Sequence, residues 1–262
     1  MPATFAHPAA ILPLRRYCGR WLEFTALIIG SVTPDFGYYV RRFDVASFAH
    51  SPAGTVLFCL PWGLVAYALF RLLRAPLCFL LPQPHRGALT PLVTTQLALT
   101  LQKLGAIAVS VVFGAWTHII ADSSTHKTGW IVQRIPVLQE IVFRIGGADF
   151  PVHQLLQHAG STLGTALLIG SYVPWLRRQR RAAPESTERL SDHTRMSVLA
   201  VLATIAIAAA IPLARHATAE FAGYFGLRVF AFQAAIYAVQ VFVPLLMVTA
   251  VVLYRSTSSR RV

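Results

Sequence analysis

Three side chains of types that bind metals or carry protons recur at four-residue steps in the stretch THIIADSSTH: His118, Asp122 and His126. In an α-helix such steps fall on one stripe, so His118 and Asp122 can bind one ion together or hydrogen-bond to each other. Imidazole and carboxylate suit a divalent metal such as zinc, with three or four protein ligands and one position left for water. Bound water then has a pKa of about 7, and hydroxide becomes available to attack an ester or phosphoester. His126 has a plainer reading as the start of a loop, because Ser123 and Ser124 weaken the helix before it.

The elements that must position these groups follow from composition. The chain has 262 residues, 55% hydrophobic and 13% charged, with a mean hydropathy of +0.57, and its apolar residues come in long runs rather than in a globular pattern. This implies an all-α fold, a polytopic integral membrane helical bundle forming one membrane domain over 1–262. A helix needs about 20 residues to cross the hydrocarbon core, and windows of that kind occur at 55–73, 104–121, 155–176, 197–214 and 229–254. Upstream, "HPAAILPL" and "WLEFTALIIGSVTP" are each too short to span and are separated by Arg15, Arg16 and Arg20. They read as a short N-terminal helical hairpin over 7–34, which brings His7 and Asp35 to the same side; the alternative is a poor full span over 21–40. The run is not a secretory signal, because its positive charge follows the first apolar stretch instead of preceding it.

Lys and Arg then orient the chain. A hairpin followed by five spans puts 16 of the 23 basic residues on one side, including Arg15, Arg16, Arg20, the RRQRR cluster with Arg189 and Arg195, and the tail Arg255, Arg260 and Arg261. That side is expected to be cytoplasmic. The formal net charge of +13 sits in short juxtamembrane clusters, which suits topology and anionic lipid headgroups as partners, with no nucleic-acid-binding motif. On the other side fall His7, Asp35, His50, His118, Asp122, His126, His153 and His158. Ionisable groups at span ends are costly and usually mark a site, and eight of them converge here from separate segments.

Other features carry less chemistry. Cys18, Cys59 and Cys78 are scattered without a CxxC spacing and read as small hydrophobes. "IVQRIPVLQEIVFRI" spaces Ile131, Ile135, Leu138, Val142 and Ile145 at helical steps, which predicts an amphipathic helix, either a rim beside the site or a connector packed on the protein. Asp35, after Pro34, has an alternative role as a cap. Residues 1–175 hold the motifs, 176–196 a basic cytoplasmic loop, and 197–254 two apolar scaffold helices.

The stretches "MPATFAHPAAILPL", "ALIIGSVTPDFGYYV", "FAHSPAGTVLFCLPWGL", "WTHIIADSSTHKTGW" and "LLQHAGSTLG" together resemble an uncharacterised group of bacterial membrane proteins, domain-of-unknown-function family 4184. More distantly the chain resembles inner-membrane metal-dependent hydrolases, which share an N-terminal His, a PD motif, a His before the next span and an H-x-x-x-D followed by Thr and GW. That resemblance implies His7, Asp35, His50, His118 and Asp122 as metal ligands, with Thr125, Gly129 and Trp130 as a supporting turn. The second acidic residue that the hydrolase group tends to carry after PD is replaced here by Phe36, Gly37 and Tyr38. The expected function is a membrane-embedded metal-dependent hydrolase of a lipid-like or membrane-associated ester or phosphoester. Its cofactor would be a divalent metal, zinc first, with Asp35 and Asp122 as catalytic groups and Thr125, His126, His153 and His158 around the ligands. The expected location is the bacterial inner membrane, multi-pass, with the site on the non-cytoplasmic face. The alternative is a transporter or scaffold whose His/Asp cluster binds protons or a polar substrate.

Overall fold

A computed structural model describes residues 4–19, 21–95, 100–145, 148–180 and 190–258. Arg20, the stretch 181–189 of the basic loop, Arg260 and Arg261, all assigned above to the cytoplasmic side, lie outside the described residues. In chain order the helices are α1 (Phe24–Gly30), α2 (Phe36–Tyr39), α3 (Phe43–Ala49), α4 (Pro52–Gly54), α5 (Leu60–Leu80), α6 (His85–Thr94), α7 (Leu101–Thr125), α8 (Trp130–Arg134), α9 (Val152–Arg180), α10 (Asp192–Ala217) and α11 (Gly223–Ser258). Two short strands, β1 (Ile141–Ile145) and β2 (Ala148–Pro151), form a hairpin.

The protein is an all-α membrane bundle. Among the described residues four helices are long and apolar enough to cross a membrane: Pro52–Leu80, Leu101–Thr125, Asp192–Ala217 and Gly223–Thr257. They contain four of the five expected spans. The fifth, 155–176, lies within α9, whose 29 residues reach about 43 Å at 1.5 Å per residue. Length is therefore sufficient, but Gln157, His158, Ser161, Thr162 and Thr165 dilute its apolar character, and it does not join the other four.

The described chain divides into two compact units. The first, Met1–Ala68 with Leu99–Gly170, opens with a 3-10 run, Thr4–Tyr17, that contains Pro8 and Pro13. Proline has no N–H to give to an α-helical ladder, and the run takes the tighter form. The chain turns at Gly19, whose φ of +99° is a conformation that only glycine adopts without cost. Helix α1 then returns and stops at Gly30, so 21–40 is not one long helix and the hairpin reading describes the segment.

Both arms of the hairpin pack on α7. Glu23 caps α1, its carboxylate accepting from the Ala26 N–H at 2.5 Å, while its own N–H donates to Ser110 Oγ of α7 at 2.8 Å. Where the two helices cross, Gly30 and Gly114 let the backbones meet: a Cβ on Gly30 would run into the Val111 carbonyl, and one on Gly114 into the Leu27 carbonyl. Ala26, Tyr67, Ile107 and Val111 are buried together around this crossing.

One expected element is absent. The stretch "IVQRIPVLQEIVFRI" is not an amphipathic helix but α8, a 3-10 turn at Pro136–Gln139, and strand β1. Pro136 removes an N–H and holds Ile135 extended, at φ −113° and ψ 98°, so the helix cannot pass it. Beyond it the β-branched and aromatic IVFRI pairs antiparallel with β2, Phe143 opposite Phe150 and Arg144 opposite Asp149.

In the second unit, Leu69–Ala98 with Ser171–Val262, α10 packs along α11. Leu202, Ala206, Ala210 and Ala214 are buried at four-residue steps, a stripe of mostly small residues that lets two apolar helices approach closely. Arg195, near the start of α10, is buried and donates to the carbonyls of Phe79 and Leu190. Val201, Ile205, Val248 and Val252 stand exposed, as befits helices whose outer faces meet lipid.

Candidate metal centre

Four residues of the first unit converge: Asp35, His50, His118 and Asp122 each offer one ligand atom, and these atoms lie within 4.8 Å of one another. His118 is fully buried in α7. The glycine crossing brings the end of α1 against it, so that its Nδ1 lies 2.7 Å from the carbonyl oxygen of Ser31. His50 follows α3, and its Nδ1 lies 2.7 Å from the Ala46 carbonyl one turn back. The chain turns at His50 because Ser51 caps the next helix, accepting from the Gly54 N–H at 3.0 Å, with Pro52 in the first helical position where its missing N–H costs nothing. Asp35 ends a 3-10 turn, Thr33–Asp35, that contains Pro34, and its Oδ2 accepts from Thr4 Oγ1 at 2.5 Å. Asp122 lies one turn beyond His118 on the same stripe of α7.

A carbonyl oxygen only accepts, so the Nδ1 of both His118 and His50 must carry the proton, and a neutral ring then has a bare lone pair on Nε2. The two Nε2 atoms face each other at 3.3 Å. From His118 Nε2, Asp122 Oδ2 is 3.3 Å away and Asp35 Oδ1 3.5 Å. From His50 Nε2 the same two oxygens are at 3.5 and 3.6 Å. Four ligands about 2.0–2.1 Å from a tetrahedral zinc would stand roughly 3.3 Å apart, so five of the six edges have close to the separation a single small cation imposes. Asp35 Oδ1 is moreover buried without a hydrogen bond. Two carboxylates and two imidazoles around one point are a set of groups that could hold a divalent cation.

The remaining candidates are distributed unevenly. His7 lies beside the four: its ring stacks on that of His118 with centroids 3.7 Å apart, and its Nε2 is 3.5 Å from Asp122 Oδ1, the carboxylate oxygen turned away from the cluster. Burial holds the His7 imidazole below its ordinary range, which favours the neutral ring. His126 follows α7; its Nδ1 is 3.2 Å from the Asp122 carbonyl, and its Nε2 is 3.0 Å from the Gln157 amide nitrogen. An amide NH₂ donates, so this ring is held by ordinary hydrogen bonds rather than aimed at an ion. Thr125 Oγ1 donates to the Ala121 carbonyl at 3.1 Å. His153 is buried with its Nδ1 2.9 Å from the Leu138 carbonyl, and His158 is exposed; neither belongs to the four-residue group. Gly129 touches the Ser123 backbone too closely for any Cβ, fixing the turn after α7, and Trp130 begins α8 on the surface.

Several contributors carry no sequence signal. The carbonyls of Ser31 and Ala46 act through the backbone, and Thr4 precedes the first recognisable motif residue, His7, without any spacing that points to Asp35.

A family model described as "Domain of unknown function (DUF4184)" matches residues 1–254. No curated protein and no solved structure matches the chain.

Proposed function

The chain belongs to the family described as Domain of unknown function (DUF4184), and from its site we propose a membrane-embedded metal-dependent hydrolase acting on lipid-like or membrane-associated esters or phosphoesters. One observation carries this reading: four buried or half-buried acceptor atoms from Asp35, His50, His118 and Asp122 face one another at separations of 3.3–3.6 Å over the measured pairs. The second contacts of the two rings strengthen it, since a metal-binding histidine characteristically gives its other N–H to a carbonyl or carboxylate. A divalent ion, zinc first, would supply water of lowered pKa, about 7.

The residues around that point can do the rest. Asp122 Oδ1 is buried and accepts no hydrogen bond, and the Asp122 residue borders a cavity that His7 also lines. An attacking water gives its proton to Asp122 Oδ1 as its oxygen bonds to the carbonyl carbon or phosphorus; the ester bond breaks, and the proton passes by way of neutral His7 to the departing alkoxide. Such proton transfer typically contributes about 10²–10⁴-fold to rate. The Lys and Arg asymmetry supports a multi-pass chain in the bacterial inner membrane with this site on the non-cytoplasmic face and membrane lipids as neighbours.

The test is metal analysis of purified protein with His118→Ala and Asp122→Ala variants, run beside hydrolysis of p-nitrophenyl butyrate and bis(p-nitrophenyl) phosphate. The expected result is about one zinc, manganese or iron ion per chain, lost in both variants together with hydrolysis. Equally little metal in all three proteins sinks the metal centre. Bound metal without hydrolysis of either ester sinks the enzyme and leaves a binding or transport role for the cluster.

A further inference from the structure

Beside the four-atom cluster lies a cavity of about 160 Å³, with Asp122 and His7 in its wall. Ala6, Ala10, Ala121, Leu156, Gly160 and Gly164 make up most of the rest of its lining, and the space exists largely because these side chains are small. Gly160 and Gly164 stand one turn apart on α9 and share a face. They do different things. A Cβ built on Gly164 meets the Ala6 carbonyl oxygen at 3.1 Å and the Ala6 Cβ at 3.2 Å, whereas one built on Gly160 meets nothing within 4 Å. At Gly164 the helix touches the 3-10 run and closes the cavity; at Gly160 the cavity is open room.

A pocket with Asp122 and His7 in its wall, a lining that is otherwise mostly alanine, glycine and leucine, and Thr125, Gln157 and Ser161 already bonded to the Ala121 carbonyl, His126 and the Gln157 carbonyl, is suited to a ligand with a polar head and an apolar tail. An apolar cavity of roughly 150 Å³ takes one benzene ring, which is the bulk of about four to six chain carbons. We infer that this cavity binds the short apolar chain, about four to six carbons long, of an ester or phosphoester whose head group sits against Asp122 and His7, with the contact at Gly164 and Ala6 setting the length. The inference rests on the hydrolase reading for the identity of the head group, and on the cavity alone for the chain.

Its test does not depend on turnover. Binding of primary n-alkanols from ethyl to decyl, neutral probes whose hydroxyl can donate to the Asp122 carboxylate, is measured by calorimetry on the full chain, kept in a sterol-based detergent whose rigid body the cavity does not admit. Each methylene buried should tighten binding about three- to fourfold, and the gain should stop near six carbons. Gly160→Leu, which fills the open room, should flatten the series so that hexyl binds no better than ethyl. Gly170→Leu is the comparison: it lies on the same helix, also with nothing within 4 Å of its Cβ and outside the cavity lining, and should keep the wild-type series. Thermal melting of both variants shows whether they are folded; if Gly160→Leu does not fold, Leu156→Ala replaces it and should move the break to a longer chain. A wild-type series with no chain-length dependence, no binding at any length, or no effect of the cavity variants overturns the proposal. If the series behaves as expected while esters of the same length are not hydrolysed, the pocket stands and the hydrolase reading falls.

Discussion

Thr4 reaches the site through one hydrogen bond, to Oδ2 of Asp35, and Asp35 is 2% exposed, so bulk solvent does not replace that donor. Removing a partner from a buried charged group costs about 1.5–3 kcal/mol, and the loss of an outer hydrogen bond typically weakens a metal about 10–100-fold. Thr4→Val, nearly the same shape, should lower zinc affinity by that amount in competition with a chelator at fixed pH; unchanged affinity would mean that Asp35 is not a ligand. His118 and His126 provide the matching contrast along α7. His118 presents a bare Nε2 to the cluster, while both nitrogens of His126 are engaged by the Asp122 carbonyl and Gln157. His118→Ala should abolish stoichiometric metal, and His126→Ala should weaken it by no more than about tenfold. Metal analysis of the two variants side by side checks the order, and the reverse order would reassign the ligand set.

The glycine crossing of α1 and α7 sets where those residues stand. At Gly114 an added methyl meets the Leu27 carbonyl and the Ser31 N–H, and α1 can accommodate it only by moving outward. Overpacking of this kind costs about 1–3 kcal/mol, and here it also draws the Ser31 carbonyl away from His118 Nδ1. Gly114→Ala should therefore lower both the melting temperature and the metal content. Gly105→Ala, on the same helix with nothing within 4 Å of its Cβ, should melt no lower than wild type, because alanine is about 0.8–1.0 kcal/mol better than glycine in a helix. Equal effects would mean that the crossing does not position the ring. The sequence makes some of this readable and hides the rest. Four-residue spacing reveals His118 and Asp122 because both lie on one helix, and long apolar runs reveal the helices of the bundle. The pairing of Gly30 with Gly114 joins distant segments and leaves no periodicity. In "IVQRIPVLQEIVFRI" the helical spacing of the apolar residues outweighed Pro136, although its missing N–H decides the local structure. The eight polar groups assigned to one membrane side separate for a related reason: charge bias gives a side, not a lateral position, so His158 shares the expected side with Asp122 without joining it.

For the whole chain, charge asymmetry gives orientation in the membrane a physical basis. Sixteen of the 23 Lys and Arg residues are assigned to the side opposite His118 and Asp122, and cytoplasmic loops retain basic residues during insertion while anionic cytoplasmic lipids attract them. Two exposed positions test that assignment: Lys127, just after α7, and Arg178, near the end of α9. With Cys18, Cys59 and Cys78 replaced by serine or alanine, a single cysteine at either position is tested in right-side-out spheroplasts with a membrane-impermeant maleimide. Lys127→Cys should be labelled at once and Arg178→Cys only after permeabilisation. Because α7 carries His118 and Asp122 in the last two turns before Lys127, labelling at that position locates the water-facing end of the metal-binding stripe as well as the chain. The opposite pattern would turn the site toward the cytoplasm and require its metal and its substrate to come from that side. Labelling of both positions without permeabilisation would put them on one face, and α9 could not then connect opposite sides of the membrane.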